Sequence, residues 1–138
     1  NNLDRLINFI VIVLFANSLN LFDLRPGRCI KVFITISAFL IVSSIILNIS
    51  DYILVTPLLG WAAGYAVFDF KGKVMLGDAG SNSLGIALGI IIVIIQPLLI
   101  KSILVLVLII LHWYTEKNSL SSIIEKHNVL NKLDNWGR

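Results

Sequence analysis

Two short polar segments interrupt a strongly apolar chain, and both carry residue types that bind phosphate, metal or sugar. In the first, Asn17–Asp23, the residues Asn17, Asn20 and Asp23 recur at a spacing of three. On a helix they share one broad face, and such groups are not left against lipid. Asn both donates and accepts hydrogen bonds, while Asp23 can serve a metal ion or a proton. The alternative is that the carboxamides join helices and Asp23 ends one.

The second polar segment, Met75–Ser81, precedes a glycine-bearing apolar run. Gly77 and Gly80 permit a tight turn, and the free N–H groups of the next helix face anions. Asp78 is suited to Mg²⁺, which prefers one or two carboxylates together with phosphate oxygens. The alternative is that Asp78 or Ser81 only caps a helix.

Two arginines, Arg25 and Arg28, follow the first polar segment around Pro26-Gly27 and place two guanidinium groups at the membrane surface. Arginine can bind phosphate through two parallel hydrogen bonds. Anchoring at the membrane interface is its commoner use there, so both interpretations stay open. The charged residues Asp69, Lys71 and Lys73 are interpreted as a solvated loop.

The composition is that of a membrane protein. The chain has 138 residues, of which 57% are hydrophobic, and a mean hydropathy of +0.91, whereas soluble domains average about 45–50% apolar residues. The net charge of +3 comes without a basic surface interleaved with aromatic residues, so we expect no nucleic-acid binding. Cys29 stands alone, and His112 and His127 lack the spacing of a zinc site.

The predicted fold is an all-α polytopic membrane protein, a helical bundle of about five transmembrane helices with a cytoplasmic amphipathic tail helix. The apolar runs lack the alternation of barrel strands, and only helices or closed barrels span lipid. We expect one membrane domain over residues 1–138, the end of a longer protein whose beginning is missing. Its spans are predicted at about 3–20, 32–49, 53–70, 83–96 and 97–113, with a tail at 114–138.

The last two apolar runs meet at Gln96-Pro97, and their length is too great for one upright span. Two spans are predicted, and one long kinked helix is the alternative. With five spans, both polar segments lie in loops on the same side as the tail. That side carries Arg25, Arg28, Lys31, Lys71, Lys73, Lys117, Lys126, Lys132 and Arg138, and the other side only Arg5 and Lys101. The excess of cations predicts that the polar segments are cytoplasmic.

Two further patterns concern helix packing. Gly60 with Gly64 and Gly85 with Gly89 form small-x-x-x-small pairs, which predict close approach of helices. In the tail, the segment 122–125 matches a capping box, and five apolar residues recur near helical spacing: Leu120, Ile123, Ile124, Leu130 and Leu133. A single surface helix is predicted, lying either on the membrane interface or on the inner face of the bundle.

Together and in this order, the two polar segments resemble motifs of the polyprenyl-phosphate N-acetylhexosamine-1-phosphate transferases, which are glycosyltransferase family 4. The family motif N-x-x-N-x-x-D is similar to Asn17, Asn20 and Asp23. The motif F-M-G-D-x-G-S is similar to Val74–Ser81. The resemblance covers essentially the whole chain, as the C-terminal half of a divergent member.

The resemblance implies transfer of an N-acetylhexosamine-type sugar-1-phosphate from a UDP-sugar to undecaprenyl phosphate, with release of UMP, in cell-wall or surface polysaccharide synthesis. It implies Mg²⁺ held by Asp78, with Asp23 and Asp78 catalytic. The substrate-binding residues it implies are Asn17, Asn20, Gly77, Ser81, Arg25 and Arg28. The partners implied are UDP-N-acetylhexosamine, undecaprenyl phosphate and the lipid bilayer of a bacterial cytoplasmic membrane. Homodimerisation stays open, and we expect the fragment alone to be inactive.

The sequence departs from the family pattern in three places. Pro26 stands where a second acid is expected, and the tail keeps only His127 of a His-rich loop. The early acidic pair of the family is expected upstream of the chain. A subfamily that uses a different sugar is therefore expected. Two alternatives stay open: a non-catalytic relative that binds polyprenyl phosphate or nucleotide sugar, and an unrelated transporter whose polar residues line a pathway.

Overall fold

Helices make up the regular structure of residues 2–136, the part of the chain that the computed structural model describes. Five of these helical stretches are long and apolar enough to cross a membrane, which confirms the predicted fold class. The elements are α1 (Asn2–Phe22), α2 (Arg28–Ile46), a short 3-10 helix (Ser50–Leu54), α3 (Thr56–Asp69), α4 (Gly77–Ile95), α5 (Leu98–Lys117), α6 (Leu120–Lys126) and α7 (Asn128–Asn135).

The polar segments belong mostly to helices and not to loops. Helix α1 continues through Asn17 and Asn20 to Phe22, and α4 begins at Gly77, several residues before the predicted start of that span. Asp78 and Ser81 therefore lie in the first turns of α4. The apolar runs define only the lipid-embedded part of each helix, because hydrogen bonding within a helix continues across polar residues at the membrane edge.

The chain reverses direction between α4 and α5. The end of α1 contacts the start of α4, where Ser81 lies 2.9 Å from Asn20. The start of α1 contacts the start of α5, where Lys101 Nζ lies 2.6 Å from Asp4. Helix α4 is therefore antiparallel to α1 and α5 is parallel to it, with the reversal at Gln96–Pro97. The last two apolar runs therefore form two separate helices, and the single kinked helix is excluded.

Buried polar contacts fix the end of the bundle opposite to the polar segments. The side chain of Lys101 is buried and donates to Asp4 Oδ1 at 2.6 Å and to Asn8 Oδ1 at 2.7 Å. Gln96 Nε2 donates to Ser43 Oγ at 2.6 Å. A charge within an apolar bundle is tolerated when it is paired, so these contacts hold α1, α2, α4 and α5 in register.

Helices α1 and α4 make the most extensive contact in the bundle, and two glycines permit it. A Cβ atom on Gly85 would lie 2.5 Å from Ala16 Cα, and one on Gly89 would lie 2.8 Å from Ile12 Cα. The backbones approach so closely that a methyl group has no room. This confirms close packing for the glycine pair of α4.

The tail forms two short helices instead of the single helix predicted. Helix α6 ends before His127, whose backbone is extended, and α7 follows directly. The predicted capping box is wrong, because Ser119 is the N-cap residue of α6 and Ser122 Oγ donates back to its carbonyl oxygen at 2.8 Å. Leu120 and Ile124 are buried, which favours packing of the tail on the bundle.

The glycine contact yields a test with an internal control. We expect Gly85→Ala to destabilise the protein by about 1–3 kcal/mol, the usual cost of overpacking, because the added methyl group meets backbone atoms of α1. Apart from its chain neighbours and the backbone of its own helix, no atom of the described chain lies within 4 Å of a Cβ on Gly60. Gly60→Ala should therefore leave the melting temperature unchanged or raise it. Thermal unfolding of the detergent-solubilised protein measures both. Equal melting temperatures for the two variants would contradict the packing.

Candidate functional site

The two polar segments meet at one end of the bundle through Ser81. Its side chain is fully buried, and Oγ lies 2.9 Å from Asn20 Oδ1 and 2.9 Å from the carbonyl oxygen of Gly77. The single hydroxyl proton is shared between these two acceptors. The hydrogen bond to Asn20 Oδ1 fixes the orientation of the carboxamide. Ser81 therefore joins the end of α1 to the start of α4.

Asp23 follows α1 and lies beside the start of α4. The backbone N–H of Gly77 donates to its carboxylate, whereas Asp23 Oδ1 is buried and has no hydrogen-bond partner within residues 2–136. Burial raises the pKa of Asp23, and the negative charges of Asp69 and Asp78 raise it further, against the opposing effect of the Gly77 N–H. A buried acceptor without a partner calls for an explanation, and a cation or a proton would satisfy it.

Asp23, Asp69 and Asp78 form a cluster of acids, of which the sequence alone did not indicate Asp69. It is the last residue of α3 and its side chain is fully buried, so its interpretation as part of a solvated loop is wrong. Lys71 and Lys73 are exposed, as that interpretation expects. The one available signal was the position of Asp69 inside the apolar pattern, ahead of Phe70, because burial of a carboxylate there requires a reason.

Asp78 is exposed in the first turn of α4. No side chain of the described residues caps this helix, and its N-cap position is taken by Leu76. Neither Asp78 nor Ser81 therefore has the capping role considered as the alternative. The first N–H groups of a helix lack partners within the helix and favour anions. A carboxylate beside them can therefore bind a cation, and a phosphate group at the N–H groups can bind the same cation.

The cluster of acids is not a preformed metal cage. Within residues 2–136, no group of three or more His, Cys, Asp or Glu side chains is arranged to hold a metal ion. Mg²⁺ commonly binds through one or two carboxylates and completes its shell with water and phosphate oxygens. The open carboxylate of Asp78 and the unsatisfied Oδ1 of Asp23 fit that pattern of binding.

Asn17 differs from Asn20 in its surroundings, because Asn20 is half-buried and bonded to Ser81. The side chain of Asn17 is exposed and lines two shallow grooves, one on each side of α1. The groove against α5, of about 470 Å³, also contains His112 and Glu116, and the groove against α4, of about 480 Å³, contains Asn82. Sequence spacing gave no signal for these three polar residues, because they come from other helices.

Both arginines pair with carboxylates of the tail. The Nε and Nη2 atoms of Arg28 donate to the two oxygens of Asp134 at 2.8 and 2.9 Å, and Nη1 donates to Ser121 Oγ at 3.2 Å. Arg25 pairs with Glu125 at the surface. The guanidinium group of Arg28 is thus occupied by protein groups in this structure.

The raised pKa of Asp23 predicts a stability effect with a defined sign. Because the pKa in the folded protein lies above that of the unfolded chain, ionisation of Asp23 costs stability as the pH rises through the folded value. In EDTA at neutral pH, Asp23→Asn should therefore raise the melting temperature above that of the wild type. The gain should vanish in buffers below about pH 3.9, the unperturbed value.

A control for this effect is Glu125→Gln, which removes an exposed carboxylate paired with Arg25. It should give no gain in melting temperature at neutral pH, since a surface ion pair contributes little and contributes in the stabilising direction. Thermal unfolding across a pH series measures both variants. If Asp23→Asn melts at a lower temperature than the wild type at neutral pH in EDTA, the charge of Asp23 does not destabilise the fold and the prediction is wrong.

Comparison with known proteins identifies a family for the chain. The family model of glycosyl transferase family 4 matches residues 3–96, which include both polar segments and helices α1 to α4. No curated protein and no solved structure matches the chain. The match covers more than half of the chain, and the spans fit a multi-pass membrane protein. The chain therefore belongs to glycosyl transferase family 4, a family of membrane sugar-phosphate transferases.

Proposed function

We propose that the protein transfers an N-acetylhexosamine-type sugar-1-phosphate from a UDP-sugar to undecaprenyl phosphate and releases UMP, in cell-wall or surface polysaccharide synthesis. Membership of the family supports the class of reaction. The observation that supports a site for it is the meeting of Asn20, Asp23 and Asp78 at one end of the bundle, with Asn20 fixed by Ser81.

In this reaction an oxygen of the lipid phosphate attacks the sugar-bearing phosphorus of the UDP-sugar. The bond from that phosphorus to the bridging oxygen breaks, and the electron pair leaves with UMP. Asp78 and the Oδ1 atom of Asp23 are the groups proposed to hold Mg²⁺, which neutralises charge on the pyrophosphate oxygens when bound. Most of the catalysis is then positioning and electrostatic stabilisation.

The remaining groups orient the substrate. The N–H groups at the start of α4 face the site and are suited to a phosphate oxygen. Ser81 binds the carbonyl oxygen of the Asn20 side chain, so the NH₂ group of Asn20 is the part available to a ligand. Ser81 itself is fully buried and acts through Asn20. Gly77 contributes its backbone N–H to Asp23.

The proposed location is a bacterial cytoplasmic membrane, with the polar end of the bundle facing the cytoplasm. The reversal at Gln96–Pro97 supports this, because it puts the tail and both polar segments at the same end, where the cations are concentrated. Apolar side chains of α1 that are exposed, such as Leu6, Phe9 and Val13, suit contact with acyl chains. The lipid acceptor would reach the acids from the bilayer.

The decisive assay is release of UMP by the full-length protein with undecaprenyl phosphate and Mg²⁺. UDP-GlcNAc, UDP-GalNAc and UDP-MurNAc-pentapeptide are offered separately as donors, and turnover with at least one is expected. Asp78→Asn should lower kcat by roughly 100-fold or more, the scale of losing one preorganised electrostatic group. Failure of the wild type with every donor, or full activity of Asp78→Asn, would contradict the proposal. Donor binding without turnover would instead indicate a non-catalytic relative.

Two serines on α4 provide a matched pair for the role of Asn20. Ser81→Ala removes the hydrogen bond that orients the carboxamide, and we expect kcat/KM to fall by about 10-fold, equivalent to about 1.4 kcal/mol. Ser83→Ala removes an exposed hydroxyl that binds only its own helix, at the carbonyl oxygen of Ala79. It should retain wild-type activity in the same assay. Equal activities of the two variants would show that Ser81 does not position Asn20.

A further inference from the structure

The tail is bound to the bundle by a buried ion pair. The side chains of Arg28 and Asp134 are each 4% exposed, and their contact is bidentate. Ser121 of α6 accepts a third hydrogen bond from the same guanidinium group. One residue at the start of α2 therefore fixes both helices of the tail. Removing one partner of such a pair leaves an uncompensated buried charge, so the tail is not easily displaced.

Lys31, one turn further along α2, strengthens this attachment. Its Nζ atom donates to the carbonyl oxygens of Leu133 and Asp134 at 3.0 and 2.6 Å, in the last turn of α7. A cation at this end of a helix is favourable for the helix dipole. The same ammonium group lies 5.4 Å from the ring centroid of Phe70, the residue that follows Asp69. The start of α2 is therefore held between the tail and the loop after α3.

The segment between Asp23 and Arg28 is short and stiff. The backbone N–H of Asp23 bonds to Asn20 at 3.1 Å, and that of Arg28 bonds to Arg25 at 3.3 Å. Gly27 has a φ of +79°, and a Cβ atom there would lie 2.8 Å from the ring of Phe70. With these restraints we expect a displacement of Arg28 to change the position of Asp23.

The family match ends at residue 96, so α6 and α7 lie outside it. The segment that they contact is the one in which Pro26 replaces the expected second acid. The buried contact between Arg28 and Asp134 thus attaches the tail two residues after Pro26. The attachment point of the tail therefore lies next to the turn that carries Asp23.

We propose that the tail is a structural part of the active site, in which the pair Arg28–Asp134 holds the turn that carries Asp23. Arg28 and Asp134 are then positioning residues, and Arg28 is not a ligand of substrate phosphate. This inference rests on the proposed transferase function for its kinetic consequences. The attachment of the tail can be measured without turnover.

The test compares Asp134→Asn, Arg28→Lys and the double variant of the full-length protein. Each single change should lower kcat by between about 10-fold and 100-fold, the scale of a misplaced catalytic group. The KM for the UDP-sugar should stay within about threefold of the wild-type value, since no substrate contact is lost. The kcat of the double variant should be no lower than that of the less active single variant, because both substitutions break the same contact. Glu125→Gln is the matched control and should retain wild-type kinetics.

A role of Arg28 in binding phosphate gives a different result. Arg28→Lys would then raise KM, while Asp134→Asn would free the guanidinium group and leave kcat unchanged or increased. Either pattern overturns the inference. An increase of kcat in Asp134→Asn would identify the tail as inhibitory and overturns it as well. Arg28→Lys keeps the buried positive charge, so it remains informative where Asp134→Asn fails to fold.

Hydrogen exchange separates this inference from the proposed function. In Asp134→Asn and in Arg28→Lys, amide exchange should accelerate in residues 120–135 and also in the turn 23–27, but not in Glu125→Gln. Acceleration confined to the tail overturns the inference, whatever the activity. Absence of turnover in the wild type refutes the transferase function, and the exchange of residues 23–27 then still decides whether the tail holds that turn.

Discussion

The close approach of α1 and α4 is the contact on which the rest of the bundle depends. Lipid gives little hydrophobic drive for helices to associate, so packing and polar contacts must supply it. Gly85 and Gly89 let the two backbones approach, and this approach places Ser81 within hydrogen-bond distance of Asn20. The candidate site is thus built on two helices whose relative position is set about one and two turns away from Ser81, at Gly85 and Gly89.

The charges at the polar end are divided into two groups. Cations of the turn before α2 and of its first helical turns pair with the tail, as Arg28 does with Asp134. The carboxylate of Asp23 interacts unfavourably with those of Asp69 and Asp78. Neighbouring like charges destabilise the folded state, and a bound cation would relieve the repulsion. The cost in stability and the capacity to bind a cation therefore arise from the same arrangement.

Much of the fold follows from the sequence. Five apolar runs and the proline at 97 predict the spans and the reversal between α4 and α5, and the order of the motifs indicates that the polar segments share one end. The exposure of Asn17 does not follow from its spacing to Asn20 and Asp23, because packing against α4 determines which face of α1 is buried. The burial of Asp69 and the pairing of Arg28 with a residue 106 positions away are tertiary effects. Local patterns carry no information about such partners.

The attachment of the tail changes how the absence of a second acid beside Asp23 is understood. An additional carboxylate at position 26 would add a negative charge three residues from Asp23, whose pKa is already raised by burial. Proline instead stiffens the turn, and Arg28 fixes its far end to Asp134. Precision of placement, more than the number of acids, determines how much a preorganised site contributes to catalysis.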